Sequence, residues 1–170
     1  TRAIFICNPN NPTGYVYTHK ELNDLADLVK KHDIFLIVDE VYREFVYDGA
    51  IHHSVLTIPG LEEHAILVDS MSKRYSMCGA RIGCLVSKNK AVMQAALKFA
   101  QSRLSPPTLG LDASEAAMDE PLSYLQEVTA TYLERRNTLV KALQQVPGIT
   151  VSKPRGAFYS LVQLPVEDTD

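Results

Sequence analysis

Ile34-Phe-Leu-Ile-Val-Asp39 is an uninterrupted apolar run that ends in a carboxylate, and Glu40-Val-Tyr42 follows it directly. A run this short, continuously apolar and rich in β-formers predicts a strand covered on both faces, parallel and central in its sheet. Two similar runs flank it. Ala3-Ile-Phe-Ile-Cys7 lies upstream and is closed by the turn-rich Asn8-Pro-Asn-Asn-Pro-Thr-Gly14; Ala65-Ile-Leu-Val-Asp69 lies downstream. Between the first two runs, Thr18 with Glu21 three residues later has the pattern of a capping box. Leu22, Leu25, Leu28 and Val29 then recur at helical spacing, which predicts a helix from about Lys20 to His32. Strands alternating with helices give an α/β fold with a three-layer, mostly parallel sheet. In such a sheet the loops at the carboxyl ends of the strands gather the functional groups. Asn11, Asp39, and Ser70 with Lys73 are therefore expected on one rim.

Further along, Ile82–Ser87 reads as another strand and Lys90–Leu104 as an amphipathic helix stopped by Pro106-Pro107. A shorter helix is expected over Leu109–Met118. From Pro121 an apolar stripe through Leu122, Leu125, Val128, Tyr132, Leu139 and Leu143 predicts one long helix ending before Pro147-Gly148. Ile149–Ser152 and Ala157–Val162 read as strands joined through Lys153-Pro-Arg-Gly156, the start of a second unit. The chain begins almost directly in a strand and stops just after one, which reads as an excised piece.

With 170 residues, 46% of them hydrophobic, the chain is the size of one domain with a real core. A net charge of -3 with dispersed basic residues gives no attraction for nucleic acid or anionic lipid, so neither is an expected partner. No apolar run reaches membrane-spanning length. Three cysteines without C-x-x-C spacing indicate neither a disulfide framework nor a zinc site, and point to a reducing, cytoplasmic location. His52, His53 and His64 lack ligand spacing, so no metal is expected. Glu134-Arg135-Arg136 reads as a solvated helix face, and Cys78 as a small packed residue. No G-x-G-x-x-G follows a strand and no G-K-[ST] is present, which excludes the common nucleotide-binding sheets.

The chemistry concentrates between Val68 and Gly83. Ser70 and Ser72 offer hydroxyls, and Arg81 offers a guanidinium between Gly79 and Gly83, glycines that let backbone approach a ligand; together they suit a phosphate. Lys73 offers an amine able to form a Schiff base. A strand-end carboxylate such as Asp39 needs a cationic or donating partner; a protonated pyridine nitrogen is one, and the cap of the next turn is another. Asp69 has only the capping reading, because alternation turns its side chain away from the neighbouring serine. Tyr42 and Asn11 are either donors to a phenolic oxygen beside the imine or a packed aromatic and a turn asparagine.

Four motifs in order, Asn11-Pro-Thr-Gly14, Asp39-Glu-Val-Tyr42, Ser70-x-Ser-Lys73 with Gly79-x-Arg81-x-Gly83, and Pro154-x-Gly-Ala-Phe-Tyr159, resemble those of the fold-type I, pyridoxal-phosphate-dependent aminotransferases of class I and II. The wording around Lys73 is most similar to bacterial aspartate aminotransferases. The resemblance implies pyridoxal 5′-phosphate as cofactor and Lys73 as the catalytic lysine that holds its aldehyde. It implies Asp39 at the pyridine nitrogen, Tyr42 and Asn11 at the phenolic oxygen, and Ser70, Ser72 and Arg81 at the phosphate, with Asn11 also at the substrate carboxylate. Amino acid and 2-oxo acid substrates follow, with aspartate favoured, and a homodimer as the full-length protein. By the same resemblance, residues 1–120 are part of the cofactor-binding large domain, and residues 121–170 are the interdomain helix and the beginning of the small domain. The ring-stacking aromatic and the arginine that clamps the substrate carboxylate then lie outside this central fragment, which is expected to be inactive alone. Two other readings share the lysine site: a cofactor-sensing, aminotransferase-like domain of a transcription regulator, and a lyase or decarboxylase on the same fold.

Overall fold

In the computed structural model, which describes residues 1–166, the three apolar runs form β1 (Ala3–Cys7), β2 (Phe35–Asp39) and β3 (Ala65–Ser70). β2 is central and parallel to both neighbours, with Asp39 in register with Cys7 on one side and Val68 on the other. β4 (Gly83–Val86) completes the sheet by pairing antiparallel to β3, in the order β1-β2-β3-β4. The fold is α/β with a mostly parallel sheet.

Helix α1 (His19–His32) starts where its capping box predicts. Glu21 N–H donates to the Thr18 hydroxyl at 3.2 Å, and Thr18 N–H donates back to the Glu21 carboxylate at 2.8 Å. Such a cap stabilises a helix by ~1 kcal/mol. Strand alternation sends Ile4, Ile6, Leu36, Val38, Ala65 and Leu67 to one face of the sheet. There they pack on Leu22, Ala26 and Val29 of α1 and on Val55 of a 3₁₀ turn, Val55–Thr57. Each fully buried aliphatic side chain contributes about 1.5–3 kcal/mol, so this face is the main source of stability. Phe5, Cys7, Asp39 and Val68 point to the other face, where Phe5 stays 63% exposed.

Beyond β3 come α2 (Met71–Arg74), α3 (Lys90–Arg103), α4 (Thr108–Met118) and α5 (Leu122–Leu143). β5 (Thr150–Val151) and β6 (Val162–Gln163) form a separate antiparallel pair. α5 lays Val128, Tyr132 and Leu133 on a second cluster made by Val41, Tyr42, Phe45, Tyr47 and Ala157.

Three expectations are corrected. Ala157–Val162 is not a strand: only its last residue is in β6, and Ala157 adopts a left-handed φ of 54°. Ala157 N–H donates to Phe45 C=O at 2.9 Å, Gly156 bridges to Val46, and the Phe158 ring stacks on Tyr132 at 4.8 Å between centroids. Packing of the aromatic side chains thus takes the backbone groups that a regular strand would have paired. Glu134-Arg135-Arg136 is not wholly a solvated face, because Arg136 is buried. It makes two 2.9 Å contacts with the Asp48 carboxylate and donates to Pro154 C=O at 2.8 Å. Cys78 is exposed rather than packed. The last four residues of the expected 121–170 unit lie outside the described residues. Among the described residues no helix is long and apolar enough to cross a membrane, and no group of three or more His, Cys, Asp or Glu side chains is placed to hold a metal.

Candidate active site

The turn after β1 is held by its own side chains. Asn10 Oδ1 accepts from Thr13 N–H at 3.2 Å and from the Thr13 hydroxyl at 2.6 Å. Gly14 takes a φ of 68°, and its carbonyl accepts from Arg155 N–H at 3.0 Å and Gly156 N–H at 2.9 Å. A side chain at Gly14 would be strained by that φ and would collide with Pro154. The first and fourth motifs are therefore one structural joint, and Asn11 projects from it.

After β2, one oxygen of Asp39 accepts from Val41 N–H at 3.0 Å, which starts the tight turn carrying Tyr42. After β3, the Ser70 hydroxyl accepts from Ser72 N–H at 3.2 Å and caps α2, which carries Ser72 and Lys73. Arg81 has a left-handed φ of 58°, and its guanidinium donates to Cys78 C=O at 2.9 Å. For a non-glycine residue that conformation costs of order 1–3 kcal/mol, and such strain clusters at functional sites. The neighbouring glycines play a different part from the one their spacing implies. Gly79 has a negative or extended φ and open space around it, whereas a Cβ at Gly83 would sit 2.9 Å from Asp69 C=O. Gly83 serves close pairing of β4 with β3 rather than approach to a ligand.

Parallel pairing puts the ends of β1, β2 and β3 side by side, and one cavity of about 460 Å³ opens there. Asn11, Asp39, Tyr42, Ser70, Ser72, Lys73 and Arg81 all line it, together with Phe5, Cys7, Val41, Val68 and Asp69. Its size is that of a small-molecule or cofactor site. Tyr42 is buried; Asp39, Ser70, Ser72 and Lys73 are half-buried; Asn11 and Arg81 are exposed. Burial pushes the Tyr42 phenol well above its ordinary value, the Tyr159 hydroxyl 2.6 Å away adds to this, and a hydrogen bond with Asn11 opposes it. Tyr42 consequently stays protonated and able to donate at neutral pH. Burial also raises the Cys7 thiol, whose Sγ contacts Pro9 C=O at 3.1 Å, so the cavity wall there is a neutral thiol.

A larger cavity of about 710 Å³ lies on the opposite face of the sheet, lined by apolar residues such as Leu67, Val86 and Leu111 and, at one side, by Arg43, Asp69 and Arg74. Its surface is mainly apolar, and of the seven expected residues only Ser70 reaches it, so the smaller cavity is the one on which the expected donors converge.

Several residues at the site escape the sequence. Tyr159 is visible as part of a motif, but its bond to Tyr42 joins residues from opposite ends of the chain. Beneath the site, Glu40 is fully buried with Oε2 3.5 Å from His52 Nε2. Arg43, Glu44, Asp69 and Arg74 form contacts across two turns. Only Asp69, an acidic residue closing an apolar run, carried a local signal.

The profile of the family described as aminotransferase class I and II matches residues 1–170. The aspartate aminotransferase of Bacillus subtilis is 33% identical over 160 residues, and the aromatic-amino-acid aminotransferase 2 of Thermococcus litoralis is 36% identical over 162. Each alignment covers 94% of this chain and 41% of the relative, so the chain spans about two fifths of their length. Among solved structures, the aromatic aminotransferase of Pyrococcus horikoshii superposes with a TM-score of 0.86 at 37% identity, over 94% of this chain and 43% of that one. The aspartate aminotransferase of Rhizobium meliloti gives 0.86 at 29%, over 95% and 41%.

Proposed function

This chain belongs to the class I and II aminotransferases, and on that premise we propose that the full-length protein transfers an amino group between an amino acid and a 2-oxo acid, with aspartate the favoured donor. The observation that carries the proposal is the convergence of a lysine, a carboxylate, two phenol-directed donors and a serine–arginine set on one cavity at the strand ends. That donor set fits pyridoxal 5′-phosphate. Lys73 would hold the aldehyde, Asp39 would meet the ring nitrogen, Tyr42 and Asn11 would meet the phenolic oxygen, and Ser70, Ser72 and Arg81 would hold the phosphate. When bound, the cofactor supplies a reactive aldehyde and an electron-accepting ring.

The remaining work falls to side chains. Asp39, with one oxygen already committed to Val41 N–H, is oriented for a cationic partner and keeps that partner protonated. The protonated Tyr42 hydroxyl donates, and Asn11 shares that duty while also receiving the substrate carboxylate. Lys73 Nζ moves the proton at the substrate α-carbon, acting as general base and then as general acid. Homodimerisation and a cytoplasmic location belong to the same proposal, and the family membership supports them.

The test is amino transfer by the full-length protein from aspartate, and in parallel from tyrosine and phenylalanine, to 2-oxoglutarate. Aspartate turnover above that of the aromatic donors, abolished by Lys73→Ala, is the expected result. Turnover only with aromatic donors moves the substrate assignment, and failure to transfer any amino group overturns the proposal.

A further inference from the structure

α2 has four residues, Met71–Arg74, and a helix that short does not hold its own shape in water. Its start is held by the Ser70 hydroxyl, which accepts from Ser72 N–H, and by Met71 N–H, which donates to Ile82 C=O at 3.1 Å. At its far end Tyr75 N–H donates to Met71 C=O at 3.3 Å, and charge adds to that bond. Arg74 Nη2 donates to Asp69 Oδ2 at 2.8 Å, and Arg74 Nε lies 2.7 Å from Glu44 Oε1 as a charge contact without hydrogen-bond geometry. The same two oxygens also take Arg43, with Nη1 3.3 Å from Asp69 Oδ2 and Nε 3.0 Å from Glu44 Oε1. Two guanidiniums and two carboxylates thus close a ring of alternating charge with no net charge.

The ring is largely withdrawn from water: the Asp69, Arg74 and Glu44 side chains are 7%, 11% and 20% exposed, and only Arg43 reaches 36%. Pairs so desolvated interact more strongly than surface pairs, and removing one partner leaves the others uncompensated. The ring also joins the two halves of the site. Arg43 and Glu44 follow Tyr42 in the turn after β2, whereas Asp69 and Arg74 bracket Ser70, Ser72 and Lys73.

We propose that this ring positions Lys73, with Arg74 as the principal positioning residue. Successive residues of a helix point about 100° apart. Anchoring the Arg74 side chain on the β2 turn therefore fixes the rotation of α2 about its axis, and that rotation decides whether its neighbour Lys73 faces the cavity. The ring contacts none of the reacting atoms; it acts through the backbone of α2. This inference rests on the reading of Lys73 as the reactive amine.

The experiment uses the full-length protein with Arg74→Gln and Arg74→Lys. In the unliganded protein, hydrogen exchange across residues 70–76 is expected to speed up about tenfold in Arg74→Gln while α1 is unchanged, since local opening is what the ring opposes. The rate at which borohydride traps pyridoxal phosphate on Lys73 is expected to fall at least about tenfold, since a 1 Å misplacement of a reactive group can cost about 100-fold. Arg74→Lys, which keeps a charge able to meet one carboxylate, is expected to recover part of both. A role in stability alone leaves the trapping rate at wild-type level well below the melting temperature, and that result overturns the proposal. So does unchanged exchange in Arg74→Gln. If the wild type traps no cofactor on Lys73, the cofactor reading falls and exchange with its lysine rescue still decides the ring. If Arg74→Gln does not fold, Asp69→Asn, which leaves both arginines on Glu44, carries the same two measurements.

Discussion

Neutralising Glu40 separates two titrations that oppose each other beneath the site. Glu40 is fully buried; Oε1 accepts from Val55 N–H at 2.8 Å and Oε2 lies 3.5 Å from His52 Nε2. Desolvation raises the Glu40 carboxyl from 4.5 to about 7 and lowers the His52 imidazole from 6.5 to about 4. A carboxyl with a raised pKa binds more protons folded than unfolded. Its contribution to stability is therefore full below the unfolded value and is lost as pH climbs from 4.5 to about 7. An imidazole with a lowered pKa binds fewer protons when folded, so its contribution is full above 6.5 and is lost as pH falls towards about 4. At about 1.4 kcal/mol per pKa unit, each group alone spans about 3 kcal/mol over its window, and about 2 kcal/mol of that falls between pH 5 and 8. The two slopes have opposite sign, so they nearly cancel in the wild type. Glu40→Gln keeps the shape and an acceptor for Val55, and leaves the histidine slope alone. Relative to wild type, its stability should rise by about 2 kcal/mol from pH 5 to pH 8. His52→Asn should show the reverse trend, falling by about the same amount. Guanidinium unfolding midpoints of the three proteins across that range measure both differences, and titrations elsewhere in the molecule cancel in the comparison. A Glu40→Gln curve parallel to that of the wild type refutes the reasoning.

Arg136→Ala removes a buried guanidinium that serves the Asp48 carboxylate and Pro154 C=O, and should cost about 3 kcal/mol in denaturant unfolding, the scale of charged hydrogen bonds lost with an acceptor left buried. Arg136 beside Asp48 holds that carboxyl down at about 2, so the difference from wild type should persist above pH 3.8 and shrink as pH falls towards 2; a cost below about 1 kcal/mol at neutral pH contradicts it. Gly83→Ala places a Cβ 2.9 Å from Asp69 C=O and should destabilise by about 1–3 kcal/mol through strain in the β3–β4 pairing, read as a lowered Tm; an unchanged Tm shows that the strand yields freely.

Sequence alone determined the parts of this protein whose signals are contiguous. The apolar runs of β1, β2 and β3, the Thr18–Glu21 box of α1 and the turn residues after each strand each lie within a few positions. Backbone propensity and side-chain alternation act over that range, and parallel pairing of three such strands brings their carboxyl ends together. That is why Asn11, Asp39, Ser70 and Lys73 could be expected on one rim, and the structure places them around one cavity together with Tyr42, Ser72 and Arg81. Tertiary structure decided the rest. Ala157–Leu161 has the composition of a strand, yet Phe45 and Tyr132 draw it into a turn. Arg136 reads as a surface residue until Asp48 arrives from the loop between β2 and β3. Glu40 meets His52, Tyr42 meets Tyr159, and Arg74 meets Glu44 only after the chain has folded back. A charge or hydroxyl carries no mark of its partner in its own neighbourhood, because desolvation and pairing energy arise only between groups that packing brings within about 3–4 Å.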